Sequence, residues 1–308
     1  MRLIVKPQKI ITIGTFDGVH IGHQKIIQRI IKRAKEENFE AVVLTLFPHP
    51  KMVLQKDHSI KLLHTINERV AMLKDLNIKH VVVKEFTREF ANLSAQNYVK
   101  TILVDELNTK HIVIGYDHRF GHKRSANITD LKQFAKQYNF KVEEIPAQDI
   151  EAVTVSSTKI RTALNNGEIA LANSYLGYNY FITGTVIKGK GLGRTIEFPT
   201  ANIYVEAAYK LIPKDGVYVV KSNIEGQTVF GMMNIGTNPT VNGKTHAIEV
   251  HFFNFEANLY TAELKIAFLK RLRSEEKFKN IDALKAQLQQ DKTTALHYIK
   301  THNEYVSL

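Results

Sequence analysis

The chain has 308 residues, 44% hydrophobic and 23% charged, with a formal net charge of +12 from 42 Lys and Arg against 30 Asp and Glu. That length suits two domains, each able to bury its own core, and the composition excludes disordered and fibrous architectures. No apolar run approaches the ~18 to 20 residues of a membrane span, and there are no cysteines, which excludes disulfides and thiolate metal sites and is compatible with a cytoplasmic location.

Met1–Ile13 carries Arg2, Lys6 and Lys9 but no apolar stretch ended by small residues, so no signal peptide is expected. The cations are dispersed and interleaved with Glu or Asp, which favours solvated faces over a polyanion-binding tail; ATP and other phosphorylated ligands suit the same charge. The first half then alternates β-branched runs with stretches of helical spacing. Lys9–Ile13, Ala41–Leu46, His80–Val83, His111–Ile114 and Lys141–Ile145 predict buried strands, and Gln24–Glu37, Asn67–Leu76, Ala95–Leu107 and Ile128–Tyr138 predict helices between them. This alternation predicts a Rossmann-like α/β domain, a parallel sheet with helices on both faces. Ligands of such folds sit at the carboxyl ends of the strands, so the loops after Ile13, Leu46 and Ile114 are the ones to watch.

Ser156-Ser157-Thr158 supplies hydroxyls to cap a short helix that Asn166-Gly167 ends, and a second short helix runs to about Leu176. After Gly177 the period drops to two. Phe181–Val186, Gly216–Val220, Thr228–Met233, His246–Phe252 and Glu263–Phe268 predict a small antiparallel β-barrel or sandwich, and a C-terminal helix runs from about Ile281 to Thr301. The domain boundary falls near 178–182, giving domains 1–179 and 180–308.

Gly14-Thr15-Phe16-Asp17-Gly18-Val19-His20-Ile21-Gly22-His23 joins the first strand to the first helix. Its glycines let backbone amides approach a ligand, and the helix N-terminus suits phosphate. His20 and His23 are three apart and point the same way, so both imidazoles can donate to charge building on a triphosphate. A single histidine here would more often be structural; the pair in a strand-loop-helix setting favours function. Zinc is a weaker reading, because no further ligands are evident. Val155-Ser156-Ser157-Thr158-Lys159-Ile160-Arg161 offers three hydroxyls, helix amides and two cations, a second phosphate grip or a plain helix cap.

In the second half, Gly184–Arg194 is rich in glycine but is not a Walker A loop, since no Gly-Lys-Ser/Thr stands at the right spacing. Phe198-Pro199-Thr200-Ala201-Asn202 follows; on an extended segment Thr200 and Asn202 share a face, and their hard oxygens suit Mg²⁺. Ile248-Glu249-Val250-His251-Phe252 places a carboxylate in an apolar strand, where it is either ion-paired or catalytic.

The first decapeptide resembles the Gly-x-Phe-Asp-x-x-His-x-Gly-His signature of the nucleotidyltransferase superfamily. Gly115-Tyr116-Asp117-His118-Arg119-Phe120-Gly121 and the Val155–Arg161 segment resemble the nucleotide-binding segments of prokaryotic FAD synthetases, and Leu46-Phe47-Pro48-His49-Pro50 resembles their FMN loop. The segments around Thr200 and Glu249, with Gly231–Gly236 and Leu272–Phe278, resemble riboflavin kinases. In this order they cover essentially the whole chain, which is identified as a member of the bifunctional riboflavin kinase/FAD synthetase family.

The resemblance implies that riboflavin and ATP give FMN in the second domain, and that FMN and ATP give FAD and pyrophosphate in the first. It implies catalytic roles for His20, His23, Arg161 and Glu249. ATP contacts would come from Gly14, Thr15, Phe16, Asp17, His20, His23, Asp117, Arg119, Ser156, Ser157 and Thr158 in one domain, and from Gly189, Gly191, Arg194, Thr200 and Asn202 in the other. Thr200 and Asn202 would hold Mg²⁺ with ATP, and flavin would meet Phe47, Pro48, His49, Pro50, Glu249 and Arg273. The expected partners are ATP, riboflavin and FMN, with no nucleic acid or membrane, in a monomer or weak homo-oligomer.

Two residues depart from the family pattern. Glu197 stands where Gly usually precedes Phe-Pro-Thr-Ala-Asn, and Ala126 where many relatives have Gly. If that Gly serves a positive φ or a close approach, Glu197 strains the loop and adds charge beside ATP, so an adenylyltransferase with a weak or silent kinase is the alternative. An RNA-binding or flavin-sensing regulator is disfavoured, because the barrel lacks basic-aromatic clusters.

Overall fold

The computed structural model describes residues 7–55, 59–116, 118–146, 155–189, 193, 196–240 and 243–302. It divides into two compact units, Met1–Ser157 and Thr158–Leu308.

In the first unit β1 (Lys9–Gly14), β2 (Glu40–Phe47), β3 (His80–Glu85), β4 (Thr109–Gly115) and β5 (Lys141–Ile145) form an all-parallel sheet in the order β3-β2-β1-β4-β5. The β-branched runs seen in the sequence are these strands. β1 lies at the centre, so both of its faces are buried. Ile11 and Ile13 pack with Val99, Leu103 and Leu131, while Ile10 packs with Ile27, Ile30 and Leu73. Helix α1 (Ile21–Glu37) begins three residues before the apolar periodicity suggests, because His20 caps it. Helix α2 spans Pro50–Leu54, and α3 (Ile66–Asp75) starts from a capping box of Thr65 and Glu68. The helix predicted over Ala95–Leu107 is a turn of α-helix, Ala95–Asn97, that continues as a π-helix over Tyr98–Glu106. Its apolar residues still reach the sheet, but the winding is wider than a 3.6-residue period describes.

The second unit opens with the helices Ser157–Asn166 (after its first residue) and Ile169–Leu176. Six strands follow: β6 (Phe181–Ile187), β7 (Ala201–Tyr204), β8 (Gly216–Ile224), β9 (Gln227–Thr240), β10 (Gly243–Phe252) and β11 (Glu263–Arg273). They close into an antiparallel barrel in the order β10-β7-β6-β11-β8-β9. A sandwich was the other arrangement compatible with the pattern. Closure depends on β7, a four-residue strand with no alternation of its own, held by pairing to β6 and β10. The two opening helices are tied to the barrel: Asn173 donates to the Phe268 carbonyl at 2.9 Å, and the Lys214 amide to that of Leu164 at 3.1 Å. The compact units therefore divide before these helices, whereas the change of period in the sequence comes after them. The C-terminal helix Ile281–Thr301, capped by Asn280, lays Ala295 and Ile299 over Val219, Phe230, Met232, Phe253 and Leu269. Among the described residues no helix is long and apolar enough to cross a membrane.

Candidate active sites

The loop after β1 is held in an uncommon backbone shape. Phe16, Gly18 and Val19 all have positive φ, 47°, 89° and 36°, a region that a β-branched residue rarely enters and that persists only where the surroundings impose it. Those surroundings are visible. Asp17 is 1% exposed, and its carboxylate accepts from the amides of Leu63 and His64 at 3.1 and 3.3 Å, with the buried Arg69 guanidinium 3.8 Å away. Thr45 donates to the Thr15 carbonyl, and Ser157 donates to that of Asp17 at 2.8 Å. Asp17, expected to touch ATP, thus has its carboxylate turned inward onto the 63–64 backbone.

His20 caps α1 through Nδ1, which accepts from the His23 amide at 3.4 Å. Accepting at Nδ1 assigns the ring proton of a neutral imidazole to Nε2. The His20 and His23 rings stack with centroids 3.7 Å apart, and the Phe16 edge meets His23. Gly22 permits this: a Cβ there would lie 3.2 Å from His20 Nδ1. Burial lowers the His20 pKa to about 4 against the opposing charge of Asp17. Burial, then His20 and then Arg69 hold His23 well below its usual value. Both rings are therefore neutral near pH 7, and His23 Nδ1 is buried with no hydrogen-bond partner. Neutral imidazoles can donate to an anion without the cost of burying two imidazolium charges.

Thr15, Asp17, His20, His23 and Ser157 are thus brought together around the end of β1, while Gly14 is that strand's last residue. Arg119 and Ser156 are exposed, Asp117 lies outside the described residues, and Thr158 and Arg161 stand on the helix that enters the second unit. Ala126 is buried and pairs with Phe120, so the alanine closes a tight bridge here. Phe47, with Ile66, Asn67, Val70, Ala71, Lys74 and Val83, lines an open groove of about 510 Å³. Past Pro48, His49 accepts from the Lys51 amide and Pro50 is the first residue of α2.

In the second unit Glu249 lies on β10, half-buried, on the strand face opposite Ile248 and Val250. Its neighbours across the ladder are Asn202 on β7 and Asn234 on β9. Thr200 donates to Glu249 Oε2 at 3.2 Å. Two glycines lie close to this cluster: a side chain at Gly189 would overlap the Asn202 amide, and one at Gly193 would strike the Phe198 carbonyl. Gly191 and Arg194 lie outside the described residues. His251, two residues beyond Glu249, donates through Nδ1 to the Pro199 carbonyl at 2.9 Å, at the entry to β7. Burial keeps its pKa low, and the bond to Pro199 opposes this.

Glu197 has φ of 66°, the left-handed backbone that glycine adopts without steric cost. Its carboxylate meets Lys285 of the C-terminal helix at 2.7 Å, and that ion pair lowers its pKa. Arg273, expected at the flavin, spends its guanidinium on Asp291: Nε lies 3.0 and 3.1 Å from the two carboxylate oxygens, and Nη2 donates at 2.8 Å. Sequence reasoning overlooked Asn234, His251, Arg69 and Asp291. Strand alternation from Glu249 could have found His251; the others have no local signature.

Residues 4–159 match the FAD synthetase family model, and residues 176–299 match the riboflavin kinase family model. Proteins named bifunctional riboflavin kinase/FMN adenylyltransferase are similar along the chain. Those from Haemophilus influenzae, Listeria monocytogenes and Bacillus subtilis are 37%, 39% and 37% identical, over 92%, 92% and 94% of this chain and 92%, 90% and 92% of theirs. A crystal structure described as a macrolide-efflux protein from Streptococcus pneumoniae superposes with a TM-score of 0.86 at 31% identity, covering 96% of this chain and 95% of that one. With relatives aligned over nearly its whole length and one family model on each half, the chain belongs to the bifunctional riboflavin kinase/FAD synthetase family.

Proposed function

We propose that this chain converts riboflavin to FMN and FMN to FAD, each at the expense of one ATP. The observation that supports the reading is a stacked histidine pair after the central parallel strand of one half, and in the other a carboxylate hydrogen-bonded to Thr200 beside Asn202.

In the kinase step, Glu249 takes the proton of the riboflavin 5′-hydroxyl as that oxygen attacks the ATP γ-phosphorus and ADP departs. The Thr200 hydroxyl and the Asn202 amide offer the hard oxygens that suit Mg²⁺, an ion that keeps waters and substrate phosphates around it. Thr200 and Asn202 would hold it with ATP, and the bound ion would offset phosphate charge. The Gly189 backbone, so close to Asn202, faces the same cluster.

In the adenylyl transfer, an FMN phosphate oxygen attacks the ATP α-phosphorus and pyrophosphate leaves. His20, through Nε2–H, and His23 donate to the phosphate charge that grows in this displacement, assisted by the start of α1. Arg161 and the Ser156–Thr158 hydroxyls are assigned to the same triphosphate, and Phe47–Pro50 to FMN. Residues 1–179 would thus be the adenylyltransferase and 180–308 the kinase. On this reading the partners are small molecules, the location is the cytoplasm, and Arg273 acts on flavin indirectly.

The test is incubation with riboflavin, ATP and Mg²⁺ and separation of the flavins by chromatography. FMN should appear first and FAD follow. FAD from supplied FMN without any FMN from riboflavin would refute the kinase half; FMN accumulating without FAD would refute the other.

A further inference from the structure

Asp291 is a carboxylate on the C-terminal helix, 4% exposed, in a helix face otherwise made of Leu284, Leu288, Ala295 and Ile299. Burying a carboxylate is costly unless its oxygens are satisfied, and here they are. Both oxygens accept from Arg273, and Oδ1 also accepts from Gln287 at 2.9 Å. Arg273 is the last residue of β11. Its Nη1 donates to the Ser274 carbonyl at 3.0 Å, and the guanidinium lies 5.6 Å from the Phe278 ring centroid. The fork therefore fixes the direction in which the chain leaves the barrel. The next residue but one, Glu275, lies so close to Gly236 that any side chain there would strike its carboxylate. Gly236 is two residues along β9 from Asn234, the ladder partner of Glu249. Glu275, in the segment Ser274–Asn280, thus borders the strand face that carries the carboxylate.

We infer that Asp291 is a positioning residue for riboflavin: by clamping Arg273 it holds the 274–280 segment as one wall of the kinase site. The inference rests on the kinase reading above. It gives Asp291 and Arg273 a task that stability alone does not require, since well-packed apolar residues can replace a buried ion pair without loss of stability. What an apolar pair cannot do is donate to the Ser274 carbonyl and set a cation beside the Phe278 ring.

The experiment uses the full chain and compares the parent, Asp291→Asn, and the double variant Arg273→Met/Asp291→Leu. Four quantities are read: riboflavin KM and kcat for FMN formation, FAD formation from supplied FMN, riboflavin binding by flavin fluorescence, and the thermal midpoint. Asp291→Asn should raise riboflavin KM about tenfold or more, the scale on which small misplacements act. Riboflavin binding should weaken in parallel, with FAD formation unchanged. The double variant should recover the parent's midpoint and keep the raised KM. Recovery of both midpoint and KM in the double variant would make the pair structural only and overturn the inference. So would an unchanged riboflavin KM in Asp291→Asn, or a loss of FAD formation in step with FMN. A parent that forms no FMN would instead refute the kinase reading itself.

Discussion

Lowering the pH should loosen the first unit through His20 by an amount that follows from its surroundings. The ring is 7% exposed and its pKa falls from 6.5 to about 4. Above pH 6.5 folded and unfolded chains both carry it neutral, and the site costs nothing. Between pH 6.5 and 4 the unfolded chain takes up a proton that the folded chain refuses, so stability falls with pH; below about 4 both are protonated and the loss is complete. At ~1.4 kcal/mol per tenfold change, the loss is on the order of 1 kcal/mol at pH 5.5 and about 3 kcal/mol at pH 4. The perturbation is His20→Asn, which keeps a side-chain acceptor at the start of α1 and does not titrate. Hydrogen exchange of peptides spanning β1, measured from pH 7 to 4, reads the opening free energy of this unit. Carboxylates and the histidines other than His23 titrate alike in both proteins, so the parent-minus-variant difference reads His20 together with its effect on the stacked His23 ring. That difference should shift against the parent by roughly 3 kcal/mol across the range. Parallel curves for parent and variant would refute the claim that burial keeps His20 neutral.

Three further outcomes are expected. Glu249→Gln should lower kcat for FMN formation by about 10²–10⁴-fold with riboflavin binding retained; a rate within a few-fold of the parent would make Glu249 only a partner for Thr200. His23→Ala should slow FAD formation by about 10²–10³-fold and leave FMN formation intact, and a rise in KM with kcat unchanged would point to ground-state binding instead. Glu197→Gly should melt at a higher temperature than Glu197→Ala, because both release Lys285 but only glycine suits φ of 66°. The reverse order by calorimetry would show that the backbone there is not strained.

The sequence by itself determined the elements whose cause is local. The five strands of the sheet, the helix Ile128–Tyr138 and the C-terminal helix lie where apolar period and capping residues put them, because those signals act within a few residues. It also determined that one half is parallel α/β and the other antiparallel, since each follows from the spacing between strands. The phosphate-type loops were legible for the same reason: Gly22 serves the His20 ring directly above it.

Tertiary structure alone decided the rest. β7 is a strand because β6 and β10 offer it partners, not because Ala-Asn-Ile-Tyr prefers extension. The π-helical winding of Tyr98–Glu106 is invisible to a 3.6-residue pattern. Asp17 and Arg273 carry the residue types of ligand contacts, yet Leu63, His64 and Asp291 claim their charged groups from 46, 47 and 18 residues away. Charge and burial compete over such distances in space, and no spacing along the chain records which partner a buried charge will find.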